Sequence, residues 1–122
     1  MITDSLREAR DAFNRREFHR AHELIEHDWL QAPAFVKPYY QGLIQVAAAY
    51  YKLEQGQVGP AVRLLHRAIP KLQAWQAHDA PAELLRHLQA TLRDLERKGD
   101  ARAAYEQAPC LSDAVLSVES GF

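Results

Sequence analysis

Histidines and carboxylates recur at helical spacing in one stretch, H-R-A-H-E-L-I-E-H-D-W, from His19 to Trp29. Residues four apart share a helix face. His22 and Glu26 therefore form one pair, His19 and Glu23 a second, and Glu23 and His27 a third. An imidazole beside a carboxylate can move a proton, hold a polar ligand or contribute to a metal site. Gln41 and Gln45, also four apart, follow in the next apolar run. His22, Glu23, Glu26, Gln41 and Gln45 are the candidate binding cluster.

The elements that must position this cluster are helical. Between positions 39 and 51 only Gln41 and Gln45 are strongly polar. A helix that is apolar nearly all round has no solvent face and needs covering on most sides. The stretch 38–55 is thus the expected central helix, with Pro38 in its first turn. A helix from Thr3 or Asp4 to about Asn14 precedes it, with Leu6, Ala9, Ala12 and Phe13 as its stripe. A second helix, 17–30, buries Phe18, Ala21, Ile25 and Trp29. Gly56 and then Gly59–Pro60 separate the central helix from a fourth, which carries Val62, Leu65, Ile69 and Leu72. Pro70 is expected to kink or end that fourth helix. Asp79 suits the cap of a fifth helix with a leucine stripe, and 101–108 suits a short sixth. The predicted fold is a single all-α bundle of five or six helices over 1–108. The tail 109–122 is expected to dock on its own or a neighbouring chain through Leu111, Val115, Leu116 and Phe122.

A repeat underlies the bundle. Ala9, Phe13, Phe18, Ala21, Leu24 and Ile25 align with Ala49, Leu53, Val58, Ala61, Leu64 and Leu65 at a shift of 40. The shared pattern is helix, short turn, apolar residue, then a small residue that lets antiparallel helices approach. It has the logic of tetratricopeptide-like hairpins, without the Trp and second Gly of that signature.

On a helical wheel His22 lies at the edge of the apolar face of helix two, with Glu26 one turn on. Buried Gln41 and Gln45 would need partners, which His22 and Glu26 can supply across the helix pair. Three readings stay open. The cluster can be a satisfied polar network that fixes register. It can be a divalent metal site such as zinc, since H-E-x-x-E offers His22 and Glu26 as ligands and Glu23 as base, with His66 or His87 as the third ligand sought. Or it can line a site for a small polar ligand or for acid–base chemistry. The four tyrosines of the central helix, Tyr39, Tyr40, Tyr50 and Tyr51, should pack in the core, with some hydroxyls reaching the surface or a cavity.

Composition narrows the partners. Fifteen Lys and Arg balance sixteen Asp and Glu, so no single-sign field argues for nucleic acid or an anionic membrane. The apolar run is shorter than the roughly 20 residues of a spanning helix. The single Cys110 rules out an internal disulfide and a multi-thiolate zinc site, and it reads as an ordinary thiol. No signal-peptide pattern opens the chain, so a cytoplasmic protein is expected. A homodimer completed by the tail is a possible assembly.

Three blocks occur together: F-x-x-x-x-F-x-x-A-H-E-x-x-E-x-x-W from Phe13 to Trp29, Y-x-Q-G-L-I-Q-V-A-A-A-Y from Tyr39 to Tyr50, and G-x-x-x-x-A-x-x-L-L-x-x-A from Gly56 to Ala68. In these blocks the chain resembles domain-of-unknown-function family 309 over about 13–72. The resemblance implies a small all-helical protein with a central helix. It implies shared polar residues at His22, Glu23, Glu26, Gln41 and Gln45, and no known activity or cofactor. The functional expectation is a binding or interaction protein built around the cluster. The alternatives are a metal-dependent hydrolase and a tetratricopeptide-like interaction module.

Overall fold

The computed structural model describes residues 2–75 and 79–116. The Thr3 hydroxyl accepts from the N–H of Leu6 at 3.1 Å and opens α1 (Asp4–Asn14). Its buried face is Leu6, Ala9, Ala12 and Phe13. Then come α2 (Phe18–Gln31), α3 (Lys37–Glu54), α4 (Val58–Gln73), α5 (Asp79–Lys98), α6 (Ala101–Glu106) and the single turn α7 (Asp113–Leu116). Among the described residues there is no strand, and no helix is long and apolar enough to cross a membrane. The fold is all-α. The cap expected from the Asp79 side chain and the anchor expected at Phe122 lie outside what is described.

The turn that closes α1 recurs after α3. Arg16 and Gly56, 40 positions apart, both take positive φ, 70° and 76°. The N–H of Arg16 donates to Phe13 C=O, and that of Glu17 to Ala12 C=O. Gly56 and Gln57 repeat this on Leu53 and Lys52. Each is a Schellman cap, which satisfies the last carbonyls of its helix. Gly99, φ 62°, ends α5 with the simpler bond to Leu95 C=O. After each turn a small residue, Ala21, Ala61 or Ala104, is buried where the returning helix approaches.

The central helix is α3, which packs against α2, α4 and α6. Phe13 and Phe18 meet edge to face at 4.9 Å, and Phe18 lies 5.5 Å from Tyr50, which joins the first hairpin to α3. Gly42 allows α4 close: a β-carbon there would stand 3.1 Å from Leu72 Cδ2 and 3.2 Å from Lys71 Cβ. Helix α4 passes through Pro70 and ends three residues later, so the proline does not stop it. Pro70 sits on the exposed side, and the Lys71 ammonium donates to Arg67 C=O at 3.2 Å, serving a carbonyl near the point where the proline N–H is missing.

Some tyrosine hydroxyls are expected to reach the surface or a cavity; those of Tyr39 and Tyr50 turn inward to protein partners. Tyr39 donates to Val115 C=O at 2.8 Å. Tyr50 meets Thr91 Oγ1 at 3.3 Å. Thr91 donates its own proton to His87 C=O, so the Tyr50 hydroxyl is the donor of that pair. Burial pushes the Tyr50 hydroxyl up to about 12 and raises that of Tyr39 as well.

Residues 109–116 lie against their own chain. The Asn14 amide accepts from Leu111 N–H at 2.7 Å and donates to Leu111 C=O at 3.1 Å, as a neighbouring strand would. Arg10 binds Asp113, Arg16 donates to Ala108 C=O, and Leu111, Val115 and Leu116 are buried.

Candidate functional site

Two helices, α2 and the central helix α3, frame the candidate site. The buried stripe of α2, Phe18, Ala21 and Ile25, fixes its rotation. That rotation leaves His22 at the margin of the interface and His19, Glu23 and Glu26 beyond it. Helix α3 presents a stripe of partial exposure at i, i+4, i+7 and i+11: Gln41, Gln45, Ala48 and Lys52. This stripe is a seam, because the cover of α3 is shared by α2 on one side and α4 on the other.

The ladder on α2 has the expected spacing. His22 Nε2 stands 3.7 Å from Glu26 Oε2, and His19 Nε2 stands 3.6 Å from Glu23 Oε1. The His19 and His22 rings stack at 6.0 Å with 14° between planes. His19 also lies 5.0 Å from the Tyr51 ring. His27 pairs with Gln31 at 3.3 Å rather than with Glu23. A cleft of about 200 Å³ is lined by His19, His22, Ala48, Tyr51 and Lys52. His22 Nδ1 is buried without a hydrogen-bond partner, while the His22 side chain keeps 29% of its surface exposed.

The glutamines are placed differently from the expectation. Gln41 is exposed and needs no buried partner. Gln45 turns toward α4, where Lys71 Nζ donates to its Oε1 at 3.0 Å. The reason is the seam: an apolar helix flanked by two neighbours need not be closed along the line between them. His22 and Glu26 thus do not serve the Gln pair. The structure instead brings His19, Tyr51 and Lys52 to His22. His19 was visible in the ladder. Lys52 carries no motif signal beyond its register with Gln41 and Gln45, and Tyr51 stands out only as one of the four tyrosines of the central helix.

The third metal ligand is absent from the cluster. His66 pairs with Glu96 at 3.5 Å across α4 and α5, and His87 binds Gln107 C=O at 2.8 Å. Among the described residues no group of three or more His, Cys, Asp or Glu is placed to hold a metal. One imidazole and one carboxylate at 3.7 Å make a polar edge rather than a closed coordination shell.

Fold and site together define an all-α bundle with an imidazole–carboxylate ladder at the seam of its central helix. Residues 6–64 match the family described as "Domain of unknown function (DUF309)". The resemblance is thereby established for the segment that holds all five candidate residues, shifted from 13–72 toward the N-terminus so as to include most of α1. A stretch of 65 residues is 34% identical to an "Uncharacterized protein" of Aquifex aeolicus (strain VF5), over 52% of this chain and 20% of that one. The chain thus spans about a fifth of the length of that relative. No solved structure matches.

Proposed function

We propose that the chain is a small helical binding protein that takes a small polar ligand in the seam between α2 and α3. His22, Glu26 and Lys52 supply the polar contacts, and Tyr51 supplies an aromatic wall. The observation that carries this reading is the unpartnered, buried Nδ1 of His22 on a ring that also lines an open cleft. A buried polar atom without a partner costs the fold roughly 1–3 kcal/mol. Such an atom beside a cleft is one that a group supplied from outside, a water or a ligand, would satisfy. Lys52 and His22 give the cleft a donor and an imidazole, and Glu26 adds an acceptor 3.7 Å from that ring, which suits a ligand carrying both polarities.

A ligand-observed NMR screen with a fragment set of carboxylates, amides and amino acids tests the proposal. Binders to the parent protein should weaken roughly tenfold or more in Glu26→Gln or Lys52→Gln, the scale of one charge-assisted hydrogen bond. Binders that survive both changes with unaltered affinity place the ligand elsewhere and refute the assignment.

A further inference from the structure

A second cleft, of about 400 Å³, lies where the tail crosses α5. Its polar lining comes from Glu83, His87, Cys110 and Ser112, and Leu84 and Val115 supply apolar wall. The sequence separates these groups by more than 20 positions, and the tail brings them together. The tail is a built wall: both polar groups of the Asn14 amide grip Leu111, and Tyr39 holds the carbonyl of Val115.

The polarity of this lining is one-sided. Glu83 is one helical turn before His87, on the same face of α5. A carboxylate only accepts hydrogen bonds. His87 Nε2 lies 2.8 Å from the carbonyl of Gln107, which cannot donate, so Nε2 carries a proton and, in the neutral ring, Nδ1 is left as an acceptor. No Lys or Arg lines the cleft among the described residues. A site with a carboxylate, an imidazole acceptor, a hydroxyl and apolar walls calls for a ligand with several N–H donors, a positive charge and a hydrocarbon body. Its volume lies within the roughly 300–1,000 Å³ of small-molecule sites. We propose that this cleft binds a small organic ammonium ion, which donates to Glu83 and the His87 ring and lays its apolar part against Leu84 and Val115. The site is separate from the α2–α3 seam and does not depend on it.

Cys110 serves as the reporter, because it is exposed, lines the cleft and is the chain's single cysteine. The experiment follows the rate of Cys110 alkylation by iodoacetamide in the full chain, with benzylammonium or the neutral benzyl alcohol added. Benzylammonium should protect the thiol saturably, and benzyl alcohol should not. Glu83→Gln, a change at an exposed side chain that the fold tolerates, should raise the half-protecting concentration roughly tenfold, the scale of losing one charge-assisted hydrogen bond. His22→Gln should leave protection unchanged, which separates this cleft from the seam. The proposal is overturned by no protection at millimolar benzylammonium, by equal protection from the alcohol, or by protection that persists in Glu83→Gln.

Discussion

Tyr50 and Thr91 illustrate how a buried hydroxyl decides the cost of a substitution. Tyr50 donates to Thr91, and Thr91 donates onward to His87 C=O. Tyr50→Phe leaves Thr91 with its own donor still used, so the expected loss in denaturant-measured stability is about 1 kcal/mol or less. Thr91→Val strands the fully buried Tyr50 hydroxyl and should cost more, roughly 1–3 kcal/mol. The reverse order would show that the hydroxyls are paired otherwise. At this scale the sequence was informative about types and poor about partners. The i,i+4 pairs His22–Glu26 and His19–Glu23 follow from helical spacing alone. The Gln45–Lys71 bond spans 26 positions, and whether Gln41 is covered depends on the gap between two other helices. A helical wheel ranks faces, but it does not say which face falls on a seam.

The helices themselves were legible because their stripes are long. Boundaries set by caps, such as Thr3, Gly56 and Gly99, lie close to where those residues predict them. The shift-of-40 pattern reflects a shared turn, and that turn supplies a test. Arg16 occupies the slot that Gly56 fills in the second copy, with a φ that L-residues other than Gly adopt at a cost. Arg16→Ala and Arg16→Gly lose the same bond to Ala108 C=O, yet the glycine variant should be the more stable by about 1 kcal/mol. Gly56→Ala should lose a similar amount, since nothing crowds its β-carbon and only the backbone resists. Equal stabilities within each comparison would contradict the shared cap. Gly42 differs, because its constraint is contact with α4. Gly42→Val should cost on the order of 2 kcal/mol through overpacking against Leu72 and Lys71. The single turn α7 leaves no periodic signal in the sequence, because four residues are too few to show one.

For the molecule as a whole, the tail closes the bundle by binding the first hairpin and the central helix together. Asn14→Ala removes two bonds to Leu111 and should lower stability by roughly 1–3 kcal/mol, with faster hydrogen exchange across 109–116. Unchanged exchange there would mean that the apolar anchors suffice. The buried tyrosines set an alkaline limit. A folded-state pKa raised above its unfolded value gives stability that is complete below pH 10 and is lost as pH climbs toward the folded value. For Tyr50 that window runs from 10.0 to about 12, and Tyr39 adds to it in the same direction. Stability should therefore decline above pH 10 at about 1.4 kcal/mol per pH unit per tyrosine, and Tyr50→Phe should flatten part of the slope. An identical slope in that variant would contradict the assignment. That the tail returns to its own chain rests on hydrogen bonds between residues some 76 to 97 positions apart, which no local pattern encodes.

If the proposed seam site is right, the α2 ladder is held for a ligand and is not required by the fold. Glu26 is half exposed and its 3.7 Å contact to His22 is loose, so the pair contributes little to folding. The deciding measurement is the denaturant stability of His22→Gln and Glu26→Gln against the parent. Both should fall within about 0.5 kcal/mol of it, or above it, as expected for groups kept at some cost to stability. A loss of about 2 kcal/mol or more in both would make the ladder a structural network and would contradict the account.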